Sequence, residues 1–317
     1  MNKEIDLAGI HLECPVMNAA GTCRTKEEAE ILARSAISMV VIGSYTIEER
    51  KGNEGETFWV GSINNRFPDI FSLNSRGLPN AGIKNCGQVL PEIAKIVRQA
   101  GKILCVSVAG FSPQEYALLA KFAFEKGADA VELDLSCPNC PDVCQIGAQK
   151  RIICFDSLLV KEILKTVEET VGSGAKILVK LSPFSDPFAL KETAEVIGHQ
   201  KAVKAVVSMN TFPNALAFDE KGRSKITVGK GLAGLGGPAI KPIALGQVRQ
   251  LRDFLPKHVD VVGVGGIFSG TDVSDFQLAG AKAVQLGTFL LKLEPKAWPE
   301  KINAILIEYY EQLRERT

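Results

Sequence analysis

Along this chain, short β-branched apolar runs alternate with stretches of helical spacing from one end to the other. The runs are PVMN (15–18), MVVIG (39–43), ILCVSV (103–108), AVELDL (130–135), KILVKL (176–181), AVVSMN (205–210), VVGVG (261–265) and AVQLG (283–287). Runs of this length and composition read as strands. The stretches between them carry helix punctuation. Thr25 with Glu28, and Ser112 with Glu115, have the capping-box spacing, in which each side chain satisfies a free backbone donor at a helix start. Pro113 and Pro187 stand where a first-turn proline is tolerated, and Gly127 where a left-handed stop is wanted.

Eight strands alternating with helices imply a parallel sheet, and closure into a (β/α)8 barrel is the most economical arrangement. A doubly wound open sheet alternates in the same way, so two further features are needed to favour the TIM barrel. No G-x-G-x-x-G turn follows the first strand, where a dinucleotide-binding fold carries it. The last two strands end instead in the glycine-rich turns GVGGIFSG and QLGTF. Loops after strands seven and eight are where barrels commonly place a phosphate. No linker or low-complexity segment intervenes, so residues 1–317 read as one α/β domain. Its long insertion after strand two, residues 45–89, is expected to form a small hairpin and a functional loop, and a second long connection (210–237) follows strand six.

Composition narrows the function classes. A net charge of +1 gives no electrostatic reason to expect nucleic acid or an anionic membrane as partner. The N-terminus lacks the apolar core of a signal peptide, and no stretch has the length of a membrane span, so a cytoplasmic enzyme is the expectation. The eight cysteines are not spaced as a secreted disulfide framework. Cys14, Cys23, Cys86 and Cys105 read as small buried hydrophobes, whereas Cys137, Cys140, Cys144 and Cys154 crowd into one segment.

In a barrel, chemistry concentrates at the C-terminal ends of the strands. Here these are NAAG (18–21), GSYT (43–46), SVAG (107–110), LSCPN (135–139), KLSP (180–183), MNTF (209–212), VGG (264–266) and GT (287–288). The three histidines, His11, His199 and His258, all fall elsewhere, so neither a histidine base nor a histidine-ligated metal is expected. The proton-handling candidates are Cys137, Asp134, Lys180 and hydroxyls such as Ser136. Gly265–Gly266 and Gly287–Thr288 let backbone N–H groups approach a phosphate closely, although either pair alone is also an ordinary tight turn. Gly236 and Gly237 add a third close approach. Lys180 ends an apolar strand, so its ammonium is delivered to the barrel mouth, to steady the edge of a reduced flavin or to form a Schiff base as in aldolases of this fold.

Taken together, NAAG, SLNSRGLPNAG (72–82), ELDLSCPN (132–139), VKLSP (179–183), the asparagine of SMNT, GGPAIKPIAL (236–245), GVGGIFSG (263–270) and AVQLGT (283–288) resemble the successive motifs of class 1 dihydroorotate dehydrogenases. The resemblance covers nearly the whole chain in the right order. It implies FMN across the barrel mouth, its phosphate held by Gly265, Gly266, Gly287 and Thr288, its ring and ribityl chain by Ala19, Ala20, Gly21, Ser44, Asn139, Lys180, Gly236 and Gly237. It implies Cys137 as the base on a loop, within a catalytic set that includes Lys180 and Ser136, with hydride passing to the flavin. Asn74, Arg76, Asp134, Asn139, Asn210 and Thr211 would then meet a dihydropyrimidine-like substrate. The family's electron acceptors, fumarate or a partner subunit carrying FAD and an iron–sulfur cluster, and its homodimer, are implied in the same way.

Four departures from that pattern stand out. Gly43 takes the place of a family lysine at the end of strand two, and Asp134 that of an asparagine. Arg76 replaces an apolar residue. The expected result is a pocket about one charge more negative than the family's, at a cost on the order of 4 kcal/mol for a carboxylate ~4 Å from a like charge at an effective dielectric of ~20. A paralogue acting on a different, neutral or amine-bearing ring is the alternative this raises. The last departure is the cysteine cluster, which has thiolate spacing suited to a metal or a redox disulfide, but no metal is expected because Cys137 is claimed as base.

Overall fold

The computed structural model describes residues 4–7, 9–61, 71–137, 145–146, 149–150 and 152–315. Eight parallel strands close into a barrel. They are β1 (Val16–Asn18), β2 (Met39–Tyr45), β3 (Ile103–Val108), β4 (Ala130–Asp134), β5 (Ile177–Lys180), β6 (Val203–Val207), β7 (Asp260–Val264) and β8 (Ala283–Leu286). Neighbours in sequence are neighbours in space, and β8 pairs back onto β1. Every residue of β2, β4, β5 and β8 is buried, as strands covered on both faces require.

All eight sequence-predicted strands are present, with shifted ends. The sixth begins at Val203, not at 205, because Lys204 interrupts the apolar run while its ammonium reaches out to the Ser173 carbonyl, 3.4 Å away. The outer helices are α1 (Lys26–Ala33), α2 (Gly82–Gln99), α3 (Pro113–Glu125), α4 (Ser157–Val171), α5 (Pro187–Gly198), α6 (Lys241–Phe254), α7 (Gly270–Ala279) and, after the short turn α8 (Thr288–Leu291), α9 (Trp298–Glu315). Cys86, Leu90, Ile93, Ala94 and Val97 form the buried stripe of α2 at helical spacing. Thr25 and Glu28 make the full capping box of α1. At α3, Ser112 accepts from the Glu115 amide, but the Glu115 carboxylate takes the amide of Phe111.

The two long connections meet in a second sheet. Phe58–Gly61, Phe71–Asn74, Ala233–Gly236 and Phe212–Ala215 form four antiparallel strands, with Ser72 opposite Gly236 and Asn74 opposite Gly234. The expected hairpin of the first insertion is therefore half of a sheet completed by the second. It has its own small core of Phe71, Leu73, Ile226 and Ala233, against which Trp59 packs edge-on to Phe71 at 5.2 Å.

Candidate active site

Two adjoining chambers of about 670 and 690 Å³ open at the C-terminal ends of the strands. Ala20, Asn74, Lys180, Asn210 and Leu291 line both, so these residues stand at the junction.

The first chamber is walled by backbone. Gly265 and Gly266 have φ of +121° and +79°, conformations that L side chains rarely adopt. A Cβ on Gly266 would lie 3.0 Å from the Gly237 carbonyl oxygen and 2.8 Å from Lys241 Cβ, so the turn after β7 and the turn at Gly237 pack backbone against backbone. A Cβ on Gly287 would instead point into open space, with only Ala19 Cβ near it at 3.8 Å. Among the described residues, the amides of Gly265, Gly266 and Gly287 find no acceptor within the protein. Thr288 Oγ1 hydrogen-bonds Ser72 Oγ at 2.9 Å, tying α8 to the antiparallel sheet. The nearby Lys241 ammonium is engaged by Asp272 and by Asp275 at 2.7 Å, so this cation is already taken up by two carboxylates. Donors with no partner, grouped around a space a side chain would fill, suit a phosphate group.

Lys180 is 4% exposed. Its ammonium is 3.6 Å from Glu132, a fully buried carboxylate, and 3.3 Å from Gln285 Oε1. Gln285 Nε2 donates to Glu132 at 2.7 Å, and Ser107 links Glu132 to Ser44 through hydroxyls at 3.5 and 2.7 Å. A buried cation demands such a partner. Glu132, Gln285 and Ser107 were not among the sequence-derived candidates. The available signal was the acidic pair in AVELDL: two residues apart, Glu132 and Asp134 share one face of β4.

The second chamber is walled by side chains. Gly21, Arg24, Ser44, Arg76, Asp134 and Cys137 all line it. Asp134 Oδ1 accepts from the Ser136 amide and hydroxyl at 3.0 and 2.5 Å, and Asn210 Nδ2 donates to the same hydroxyl at 3.1 Å. Ser136 itself is fully buried and lines neither chamber; its hydroxyl bridges Asp134 and Asn210. Of the other expected residues, Ala19, Thr211, Gly236, Gly237, Gly265, Gly266, Gly287 and Thr288 line the first chamber; Asn139 lies outside the described residues.

These geometries agree with the comparisons. The family model for dihydroorotate dehydrogenase matches residues 3–309. The chain belongs to the dihydroorotate dehydrogenase family. It is 33% identical over 298 residues to dihydroorotate dehydrogenase A (fumarate) of Lactococcus lactis subsp. cremoris, covering 92% of this chain and 89% of that protein. It is 32% identical over 291 residues to the catalytic subunit of dihydroorotate dehydrogenase B (NAD(+)) of Endomicrobium trichonymphae, covering 90% and 85%. Membership makes the chain a flavin-dependent oxidoreductase acting on CH–CH groups, with a role in pyrimidine biosynthesis. Among the described residues, no helix is long and apolar enough to cross a membrane.

Against that family pattern, three expectations need revision. Gly43 is more than a lost lysine: its φ is +112°, its peptide bond to Ser44 is cis, and a Cβ there would lie 2.4 Å from the Ser107 carbonyl oxygen. The charge tally of the second chamber also gains a member: Arg24, absent from the sequence-derived candidates, lines it together with Arg76, Asp134 and Lys180, the last paired with Glu132. Finally, Cys154 joins no thiolate cluster among the described residues. It is fully buried, its sulfur accepts from the Ser182 amide at 3.2 Å, and burial pushes its thiol up to about 12. Cys140 and Cys144 lie outside the described residues; among those described, no group of metal-ligating side chains occurs. Cys14, Cys23, Cys86 and Cys105 are buried as expected.

Proposed function

We propose that this chain oxidises dihydroorotate to orotate with FMN as its resident cofactor. The observation that carries the reading is the pair of chambers meeting at Lys180 and Asn210, one lined by unpartnered backbone donors and the other containing Cys137. Gly265, Gly266, Gly287 and Thr288 would hold the FMN phosphate. Ala19, Ala20, Gly21, Ser44, Lys180, Gly236 and Gly237, with Asn139, would border its ribityl chain and ring. When bound, FMN supplies a two-electron hydride acceptor.

The chain's own residues then do the following. Asn74, Asn210 and Thr211 orient the substrate ring. Cys137, as thiolate, takes the proton from the carbon next to the one that loses hydride, and the C–H electron pair becomes the new double bond. Lys180 brings a cation to the junction of the chambers, where the field of Glu132 and Gln285 holds it in place. Fumarate as acceptor, and a cytoplasmic homodimer, complete the proposal by analogy with the Lactococcus relative's printed acceptor and the family's soluble branch.

Asp134 supports a second reading. A carboxylate only accepts hydrogen bonds, and Ser136 already occupies one of its oxygens, so the ring edge facing it must present a donor. A related ring bearing N–H where orotate has a carbonyl would satisfy it.

The test is anaerobic. Purified protein is expected to be yellow, with one FMN per chain, and to bleach on addition of dihydroorotate. Cys137→Ala is expected to keep its flavin while bleaching slows by about 10²–10⁴. Yellow protein that dihydroorotate leaves unbleached would move the assignment to the related ring. Colourless protein trapped by borohydride with a ketone would support the Schiff-base lyase.

A further inference from the structure

We infer that Arg24 and Arg76 together form the subsite that receives the substrate's carboxylate, in place of a cation at the end of β2. This rests on the reading above and assigns its specificity to two side chains.

Position 43 has no cation to offer, and the backbone there has no room for a side chain. Lys180, the remaining ammonium at the junction, is neutralised by Glu132. The second chamber has two other cations, Arg24 and Arg76, which line the same wall from different segments, one just before α1 and one in the turn after Phe71–Asn74. Among the described residues neither guanidinium has a carboxylate within ion-pair range. Glu28, whose charge acts on Arg76, has its carboxylate occupied by the amides of Arg24 and Thr25 at 2.7 and 3.1 Å.

Arg76 is held in place before any ligand arrives. Its guanidinium lies 4.4 Å from the centre of the Phe58 ring. Its carbonyl accepts from the Asn53 amide at 2.8 Å, and the Asn53 side chain donates to the Ser75 carbonyl at 2.8 Å. Gly77 and Leu78, at φ of +74° and +56°, turn the chain away immediately after it. Burial first, and the charge of Arg24 second, pull Arg76 down to about 10, which leaves it cationic at neutral pH. Two like charges, one half-buried, face a chamber that they share with the single carboxylate of Asp134, so an arriving anion stabilises them. Guanidinium forks match carboxylate oxygens in geometry. Asp134 on the same chamber repels a second anionic group, so the carboxylate is directed to the arginine side.

The experiment titrates the holoenzyme with orotate and with its carboxamide, and follows the flavin spectrum as each ring binds. The wild type is expected to prefer orotate by roughly 10- to 100-fold, the range of a charge-assisted contact. In R24Q/R76Q that preference should fall to nearly one, while carboxamide affinity stays put, which a collapsed site would not do. R76K should retain part of the preference because it keeps charge but loses the fork. A preference that survives in R24Q/R76Q, or that is absent from a wild type binding both rings, overturns the arginine pair while leaving dihydroorotate oxidation standing. A wild type that neither binds the rings nor oxidises dihydroorotate overturns the functional reading, and the pair with it.

Discussion

The two chambers share one barrel mouth and are built in opposite ways. The first is built largely on main chain: Gly237, Gly265 and Gly266 at positive φ and too closely packed for side chains, Gly287 beside open space, and amides without a protein acceptor among the described residues at 265, 266 and 287. The second is made of charged and nucleophilic side chains carried by several segments, with Arg24, Arg76, Asp134 and Cys137 at its surface. A backbone cradle can change only by changing the path of the chain, so it persists while its ligand persists. A side-chain wall changes one residue at a time. That contrast fits the sequence reading, in which the turns after β7 and β8 resemble the family's and Gly43, Arg76 and Asp134 depart from it.

The largest test of this division falls on the junction. Lys180→Met is expected to slow flavin reduction by about 10²–10³, the loss typical of one electrostatic donor. It should also destabilise the fold by about 3–5 kcal/mol, because Glu132 is left fully buried with no cation. The double variant E132Q/K180M should regain most of that stability and none of the rate, as read by stopped-flow bleaching beside chemical denaturation. A double variant no more stable than the single would break the claim that the pair is a balanced unit.

Next come the glycines of the cradle, which predict unlike results for one added methyl. Gly266→Ala forces a Cβ to within 2.8 Å of Lys241 Cβ at φ +79°, and should cost about 1–3 kcal/mol of stability along with flavin affinity. Gly287→Ala places its methyl in open space, 3.8 Å from Ala19 Cβ, and should leave stability within about 0.5 kcal/mol while weakening FMN binding roughly tenfold. Equal effects of the two on FMN-free stability would erase the distinction between a packing contact and a ligand contact.

The barrel was legible because each strand is a short apolar run and β-branched residues have few other places to go. The cradle was legible because paired glycines after the last two strands have a specific backbone use. The rest escaped for physical reasons. FSLN and AGLG are only four residues each, AGLG is half glycine, and their pairing spans more than half the chain, so no local pattern announces the second sheet. Arg24 follows a motif and precedes a helix cap, which is where an exposed arginine is unremarkable. Glu132 and Gln285 sit inside strands, and only a tally of inward-facing polar residues against available partners shows that they answer Lys180.

The smallest expected effect sharpens the side-chain half of the comparison. Asp134→Asn keeps the Oδ1 that Ser136 holds and restores a donor to the chamber. Orotate binding, measured by the flavin spectrum, should tighten by roughly three- to tenfold. A weakening instead would mean that the natural ring presents a donor to Asp134, favouring the related substrate.

The antiparallel sheet has a further consequence for how this protein can be altered. Ser72 lies opposite Gly236 and Asn74 opposite Gly234, so the register of this one ladder sets Ser72 and Gly236 on the first chamber and Asn74 at the junction of both. Neither long loop is a free module. Grafting residues 45–89 from a relative without residues 210–237 would leave the ladder mismatched, and a slip of one residue in either strand would disturb the linings of both chambers together.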